Sequence, residues 1–410
     1  MLCKLLLQLT LASNNDPGGE HRNAESLKGV LLHMSSISAL RRHAPAPSRE
    51  VRDLRKTGLD PNFWYPLARS KDLRPGKALG VSYAGEPIVL VRPEKGELFA
   101  LEDRCAHRQV PLHLGVVRGE RVQCHYHCWT YDRTGSCVNV PYLDDDKQLP
   151  NGVRSYPSRE AYGLIFVYPG DQAAPGFGAF PDVSTFAKGE YKTRTLDRTI
   201  GCHYSFMHEN LMDMNHQFLH RSLMGSIRAT LLDVRSGDGW VEVDYTFSRA
   251  AGKQPLGERF MINRKHQPDP AKGQIDKMTI RTGYPYQTLQ FWTAGSSEPA
   301  LDLWNCYVPT DREQRKNQTY GLMMIRKPGI PGVIHLLWPF IVAFTNGIFG
   351  QDQHIVEAEQ KAFDEQGEDQ NQEIFPAIQA LRALLIEKGI PLELGQRVAA
   401  PVKLADLPRA

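Results

Sequence analysis

Two histidines and an aspartate lie close together in the stretch Glu209-Asn-Leu-Met-Asp-Met-Asn-His-Gln-Phe-Leu-His220, and their side chains are of types that bind metal ions. At 3.6 residues per turn, Asn210, Asp213, His216 and His220 fall within about a third of a helix circumference. The spacing predicts one helix with a polar stripe aimed inward, with Met212, Phe218 and Leu219 packed elsewhere. Neutral imidazoles on adjacent turns suit Fe, Zn, Cu or Ni, and one added carboxylate leaves coordination positions open for a reacting molecule. Taken alone, His-x3-His on a helix is more often a pair of capped or core histidines than a metal site.

A second group tips that balance. Cys105-Ala-His107 and Cys124-His-Tyr-His127 are separated by sixteen residues. Two thiolates and two imidazoles can hold Zn tetrahedrally, or they can hold a 2Fe-2S centre of the Rieske kind, with two Cys on one iron and two His on the other. Scattered buried Cys and His would not give both short spacings at once. His113 and His125 fit neither pairing and are expected at the surface or behind the ligands.

The flanks, Cys105-Ala-His-Arg-Gln-Val-Pro-Leu and Cys124-His-Tyr-His-Cys-Trp-Thr-Tyr-Asp with Gly115 and Gly135 nearby, resemble the Rieske loops of ring-hydroxylating and demethylating oxygenases. The resemblance extends from Phe63-Trp-Tyr-Pro66 to the last helical stretch. It is to the alpha subunits of Rieske non-haem iron oxygenases, in particular the group with vanillate and dicamba O-demethylases, with a more distant echo of pheophorbide a oxygenase. It implies that Cys105, His107, Cys124 and His127 bind the cluster. Family members carry N-x2-D-x2-H-x4-H, which Asn210, Asp213 and His216 match while His220 comes one residue early. The third ligand of the mononuclear Fe(II) is implied at Asp352 in Gln351-Asp-Gln-His-Ile-Val-Glu-Ala-Glu, with Glu357 and Glu359 as competitors. The resemblance also implies that Asp213, supported by Asn210, bridges an iron-bound His to the cluster His of a neighbouring subunit, and hence a head-to-tail homotrimer. Cys128 stands where relatives usually carry Gly. Val110 stands where high-potential respiratory Rieske proteins place a disulfide Cys, so a low-potential centre is expected.

These residues need a scaffold, and 410 residues suffice for two domains with their own cores. A formal net charge of +3 gives no reason to expect nucleic acid, since no basic patch is interleaved with aromatics. Seven Cys, two of them given to the cluster, make no disulfide framework. Cys3, Cys128, Cys137, Cys202 and Cys306 are expected as inert thiols in a reducing cytoplasm.

Residues 1–60 read as a weakly structured leader, with Arg41-Arg42 and Arg52 to Lys56 as solvated basic helix rather than a docking signal. From 61 to 172, short β-branched and aromatic runs such as Pro87-Ile-Val-Leu-Val-Arg and Leu164-Ile-Phe-Val-Tyr predict a small antiparallel β domain with both Cys/His loops at strand ends. From 173 to 400, seven longer strand patterns beginning near Lys192, Ala229, Trp240, Lys277, Thr288, Leu301 and Gln318 precede a long helix. That order argues for α+β, and the resemblance implies a helix-grip (Bet v 1-like) catalytic domain on a seven-stranded antiparallel sheet. Residues 401–410 read as a tail. Residues 328–351 carry no charge; Pro331, His335, Pro339, Asn346 and four glycines argue against a membrane span, and a cavity wall or subunit contact is favoured over membrane contact.

The reading is an oxygenase that uses O2 and electrons to hydroxylate or O-demethylate a hydrophobic or aromatic small molecule. In the demethylation case, a hydroxylated methoxy group collapses to formaldehyde and a phenol. The chain shows no Gly-rich dinucleotide fingerprint, so NAD(P)H would act through a separate flavin reductase, with or without a ferredoxin. Tyr284, Tyr286, Phe291, Trp292, Trp304 and Tyr307 are candidates for an aromatic cavity. The alternatives are a Rieske electron carrier whose second half serves assembly, and a zinc-binding structural protein.

Overall fold

The computed structural model describes residues 53–144, 146–251, 254–262 and 275–392. Cys3, Arg41-Arg42, most of the expected leader and the expected tail lie outside the described residues.

Short strands bounded by turn residues build the first half. Lys77–Tyr83 and Glu86–Arg92 form a hairpin through Ala84 and Gly85, both at positive φ (48° and 78°), the backbone twist that favours two-residue β turns. Phe99–Glu102 and Ser155–Tyr156 extend this sheet to four strands. Tyr65–Arg69, Leu164–Val167 and Ser158–Ala161 make a three-stranded sheet. Val116–Arg118, Arg121–Gln123, Thr130–Tyr131 and Cys137–Asn139 form a further antiparallel meander. The two Cys/His loops sit at the ends of these strands.

The second half is one antiparallel sheet of seven strands. Its spatial order is Tyr191–Ile200, Asn317–Arg326, Leu301–Pro309, Tyr286–Trp292, Lys277–Gly283, Trp240–Ala251 and Ser226–Gly237. The first strand thus lies at one edge and the next strand in sequence at the other. The chain crosses between those edges through helix α1 (Tyr204–Met212), a 3-10 turn (Met214–Phe218) and a short helix α2 (Arg221–Met224), so the His216/His220 stretch runs along the crossing. Helices α3 (Leu256–Ile262), α4 (Val333–Gln366) and α5 (Pro376–Lys388) complete the α+β arrangement. Leu301–Pro309 is buried along its whole length.

Aromatic residues expected in a substrate cavity instead join the two halves. The Tyr286 hydroxyl donates to the Trp64 carbonyl at 2.7 Å, and the Tyr284 hydroxyl accepts from the Asp60 N–H at 2.9 Å. Trp304 packs on Tyr286 and on Phe166, with ring centroids 5.4 and 6.2 Å apart. Their sheet face meets the first half rather than a ligand.

The end of the expected leader is also folded. Leu54 and Leu59 are buried, and Thr57–Gly58 pairs with Ile390–Pro391. Arg55, expected on a solvated helix, is only 4% exposed. Its guanidinium pairs with Glu209, bonds the Ser205 hydroxyl and stacks 3.6 Å above the Phe206 ring centre. Glu209, held in the interior by α1 and also met by Arg382 at 2.6 Å, requires such counter-charge.

The uncharged run of α4 is not a cavity wall over 333–344. Ile334 and Ile341 pack inward, but Leu336 is 75% and Phe340 57% exposed.

Candidate metal centres

The two Cys/His loops repeat one backbone device. Cys105 N–H donates to the Val110 carbonyl and Cys124 N–H to the Trp129 carbonyl, each at 2.8 Å. The Cys105 carbonyl accepts from Gln109 N–H at 2.9 Å and the Cys124 carbonyl from Cys128 N–H at 3.2 Å. Gln109 and Cys128 occupy equivalent left-handed positions, with φ of 62° and 59°. A side chain on Gly115 would strike the Gln123 carbonyl, so glycine is what lets the first loop approach the strand leading to Cys124.

Four donors converge there. Cys105 and Cys124 are buried free thiols, and Cys105 Sγ lies 3.2 Å from the Tyr131 hydroxyl. Burial pushes the Cys124 thiol up, and neighbouring Cys105 adds to this. The His107 and His127 rings are 4.6 Å apart, with His107 stacked on Trp129 at 4.7 Å. Nδ1 of each ring is buried without a hydrogen-bond partner. Buried polar atoms left unpaired are costly, and two thiols beside two such nitrogens form a donor set that fits a Cys2His2 iron-sulfur cluster. Val110 is half-buried, and the described cysteines are all free, as expected without the loop-bridging disulfide. His125 is exposed, whereas His113 sits behind the loop and pairs with Asp103. Cys137, Cys202 and Cys306 are buried, but Cys128 is exposed.

The predicted single helix through His216 and His220 does not form. Helix α1 stops at Met212 because Asp213 is extended (φ −93°, ψ 93°) and its carboxylate accepts from Asn215 N–H at 2.8 Å and from the Asn215 amide at 2.7 Å. A short polar side chain bonding two residues ahead competes with helix propagation. His216 then falls in the 3-10 turn, and His220 caps α2. Asn210 remains on α1.

The imidazoles still converge, their rings 5.1 Å apart and nearly perpendicular. Asp352, from α4, places Oδ1 3.8 Å from His216 Nε2 and 3.3 Å from His220 Nε2. The three ligand atoms lie within 4.8 Å of one another. The far side of each ring is tied down: His216 Nδ1 donates to the Asp213 carbonyl, and His220 Nδ1 lies 2.9 Å from Gln351 Oε1. Both Nε2 lone pairs are therefore left for a metal, and Asp352 Oδ1 is buried without a hydrogen-bond partner. This fits a two-His, one-carboxylate site. Burial holds His216 below the usual histidine range. Burial also works against a charged His220, but its pairing with Asp352 and Gln351 outweighs that and raises it. Glu357 accepts from Gly201 N–H and the Gln353 amide, each at 3.0 Å, and Glu359 is exposed, so neither faces the imidazoles.

A small, partly open pocket adjoins Asp352. Leu196, Ile200, Met207, Leu211 and Phe349 give it apolar walls, and Asn210, Asn305 and Tyr307 contribute polar atoms. Of the six aromatics expected there, Tyr307 lines it. Sequence reasoning missed Gln351 and Asn305; the one available signal was the amide of Gln351 immediately before a candidate carboxylate ligand.

Comparison with known proteins finds a family match over the part of the chain that carries each centre. Residues 63–157 match the Rieske 2Fe-2S domain family, and residues 200–381 match the vanillate O-demethylase oxygenase C-terminal domain. The 4beta-methylsterol monooxygenase of Methylococcus capsulatus is 29% identical over 369 residues, covering 87% of this chain and 95% of that protein. The oxygenase component of dicamba O-demethylase from Stenotrophomonas maltophilia is 35% identical over 162 residues, 39% of this chain and 48% of its own. The crystal structure of dicamba monooxygenase bound to dicamba shares the fold, with a TM-score of 0.65 at 23% identity, covering 81% of this chain and 97% of the other.

Proposed function

The chain belongs to the Rieske non-haem iron oxygenases, and on that footing we propose that it hydroxylates a C–H bond of a hydrophobic, ring-bearing molecule beside His216, His220 and Asp352. An oxygenase domain over 200–381 sets aside the electron-carrier and zinc-structural alternatives. The observation that carries the assignment is Asp352 Oδ1, buried without a hydrogen-bond partner and within 3.8 and 3.3 Å of two Nε2 atoms. In this reading Cys105, His107, Cys124 and His127 hold the cluster. His216, His220 and Asp352 would hold Fe(II), which when bound would supply O2 activation beside the substrate with electrons from the cluster.

The chain's own residues supply orientation and exclusion of water. The Asp213 carbonyl and Gln351 fix the tautomers of the two imidazoles. The Tyr307 hydroxyl donates to Gln287 Oε1 at 2.8 Å, and the Gln287 amide is anchored on the His208 carbonyl at 2.9 Å, so the Tyr307 ring is held in place. The apolar walls keep bulk water from the reacting carbon, and Asn305 offers one polar contact to a substrate hydroxyl or carbonyl.

A relative that spans nearly the whole chain is by name a methylsterol monooxygenase. With a cavity whose walls are mostly apolar, this favours hydroxylation of an alkyl group on a polycyclic lipid over O-demethylation of a small arene. We further assign Asp213, with Asn210, to the contact between neighbouring subunits of a homotrimer, and electron supply to a cytoplasmic flavin reductase, with or without a ferredoxin. Incubation of the iron-replete protein with a surrogate reductase and either methylated sterols or methoxyarenes decides the substrate class. Hydroxymethyl sterol is expected. Formaldehyde from the methoxyarenes alone would overturn the choice.

A further inference from the structure

The first half of α4 combines two features that soluble surfaces rarely show together. It is apolar and uncharged, yet only 17% of its most hydrophobic eighteen-residue stretch is buried. Ile330, Leu336 and Phe340 are 68%, 75% and 57% exposed. Alongside it runs a row of cations: Lys192, Arg194 and Arg198 from the edge strand, and Lys327 after the adjacent strand.

Among the described residues, the contacts of these cations are with neutral groups. Lys192 Nζ lies 2.8 Å from His335 Nδ1 and 4.3 Å over the Trp338 ring. Arg194 donates to the Val342 carbonyl at 3.3 Å and also bonds Thr345 and Asn346. Arg198 reaches the same Asn346 Oδ1 at 2.7 Å, and Lys327 Nζ donates to the Gly189 carbonyl at 2.6 Å. An exposed apolar helix face bordered by Trp and by cations without carboxylate partners has the composition of a helix lying in a lipid headgroup layer.

We propose that this face of α4 docks the protein, in the plane of the surface, on an anionic lipid bilayer. A span is ruled out by the other side of the same segment, where Ile334, Ile341 and Thr345 are buried against the protein. A second copy seated face to face would bring two rows of like charge together, whereas anionic headgroups neutralise one. The helix also leads to the site. From Phe340 to Asp352 it rises about 18 Å, Phe349 and Asp352 line the cavity, and Arg198 belongs both to the cation row and to the cavity wall. A hydrophobic substrate dissolved in the bilayer would therefore leave it beside the cavity mouth. This delivery role rests on the substrate reading above; the docking does not.

The test is co-sedimentation of the metal-replete full chain with vesicles. Binding is expected to vesicles of equal parts phosphatidylcholine and phosphatidylglycerol, and not to phosphatidylcholine alone. Leu336→Ser combined with Phe340→Ser should lower the partition coefficient at least about tenfold, and Lys327→Gln about fivefold. Wild-type protein that stays in the supernatant, or a double variant that sediments like wild type, overturns the proposal. So does a double variant that falls to a smaller oligomer while wild type ignores vesicles, which would make the face a subunit contact. For delivery, the double variant should retain turnover of a sterol presented in cyclodextrin and lose turnover of the same sterol presented in vesicles; equal loss in both overturns it. If wild type turns over neither, the substrate reading and the delivery role both fail, and sedimentation still decides the docking.

Discussion

Gln351 Oε1 lies 2.9 Å from His220 Nδ1, one residue before the aspartate whose Oδ1 faces Nε2 of the same ring at 3.3 Å. One turn of α4 therefore holds both sides of His220, and the Gln351 amide is itself fixed by a 3.0 Å bond to the Ser222 hydroxyl. Gln351→Leu removes the acceptor that selects the tautomer. Affinity for Fe(II) should fall about 10–100-fold, while the visible spectrum of the cluster stays unchanged. Iron titration of the apo protein measures this, and unchanged affinity would refute the role.

Asp352→Asn should separate the two centres. An amide cannot supply the anionic oxygen that a ferrous site needs, so the variant should keep its cluster spectrum and lose the iron outside the cluster. Cys105→Ser should do the reverse, bleaching the cluster while Fe(II) or Co(II) still binds beside His216. Iron content and visible absorption on the same samples check both.

Asp213 is half-buried and caps the 3-10 turn. Asp213→Ala should cost about 1 kcal/mol of stability from the lost cap and leave both centres loaded. Product per cluster oxidised in a single turnover should nevertheless drop sharply. A normal yield in that variant would remove Asp213 from the path between subunits.

Burial holds His208 down to about 3, and burial beside Arg55 holds His203 well below its ordinary value. The unfolded chain titrates these groups near 6.5. Between the two values the unfolded state carries protons that the folded state does not, so stability falls as pH drops below about 6.5. Each group contributes a slope of up to about 1.4 kcal/mol per pH unit. His208→Gln should remove about one proton from that slope, read from urea midpoints between pH 6.5 and 5.

Arg55→Met leaves Glu209 with Arg382 as its remaining cation partner in a poorly hydrated position. Removing one member of a buried ion pair costs about 3–5 kcal/mol, so the thermal midpoint should fall by many degrees. Pairing it with Glu209→Met should recover part of the loss.

The seven strands and both Cys/His loops were legible because each signal is local: alternation over a strand, or ligands two or three residues apart. Asp352 lies more than 130 residues from His216, and only resemblance to known proteins marked it out. The broken crossing was hidden for a different reason. Asn210, Asp213, His216 and His220 have helical spacing, and nothing in the pattern reveals that the Asp213 carboxylate takes the Asn215 N–H that a continuing helix would use. Arg55 looked like surface charge because its partner Glu209 is 154 residues away. The strand aromatics Tyr284, Tyr286 and Trp304 are as suited to a ligand as to the joint they form, and composition could not distinguish the two.

The break at Asp213 precedes both histidines, and between them the chain winds as a hydrogen-bonded turn, with Leu219 N–H on the His216 carbonyl at 2.7 Å and His220 N–H on the Gln217 carbonyl at 3.2 Å. Phe218 ends the 3-10 turn and Leu219 keeps helical backbone angles, so about three rather than 3.6 residues per turn set the angle between the two imidazoles. One residue added to or taken from this turn would swing His220 about 120° around its axis. The residue count between the histidines is therefore part of the metal site itself.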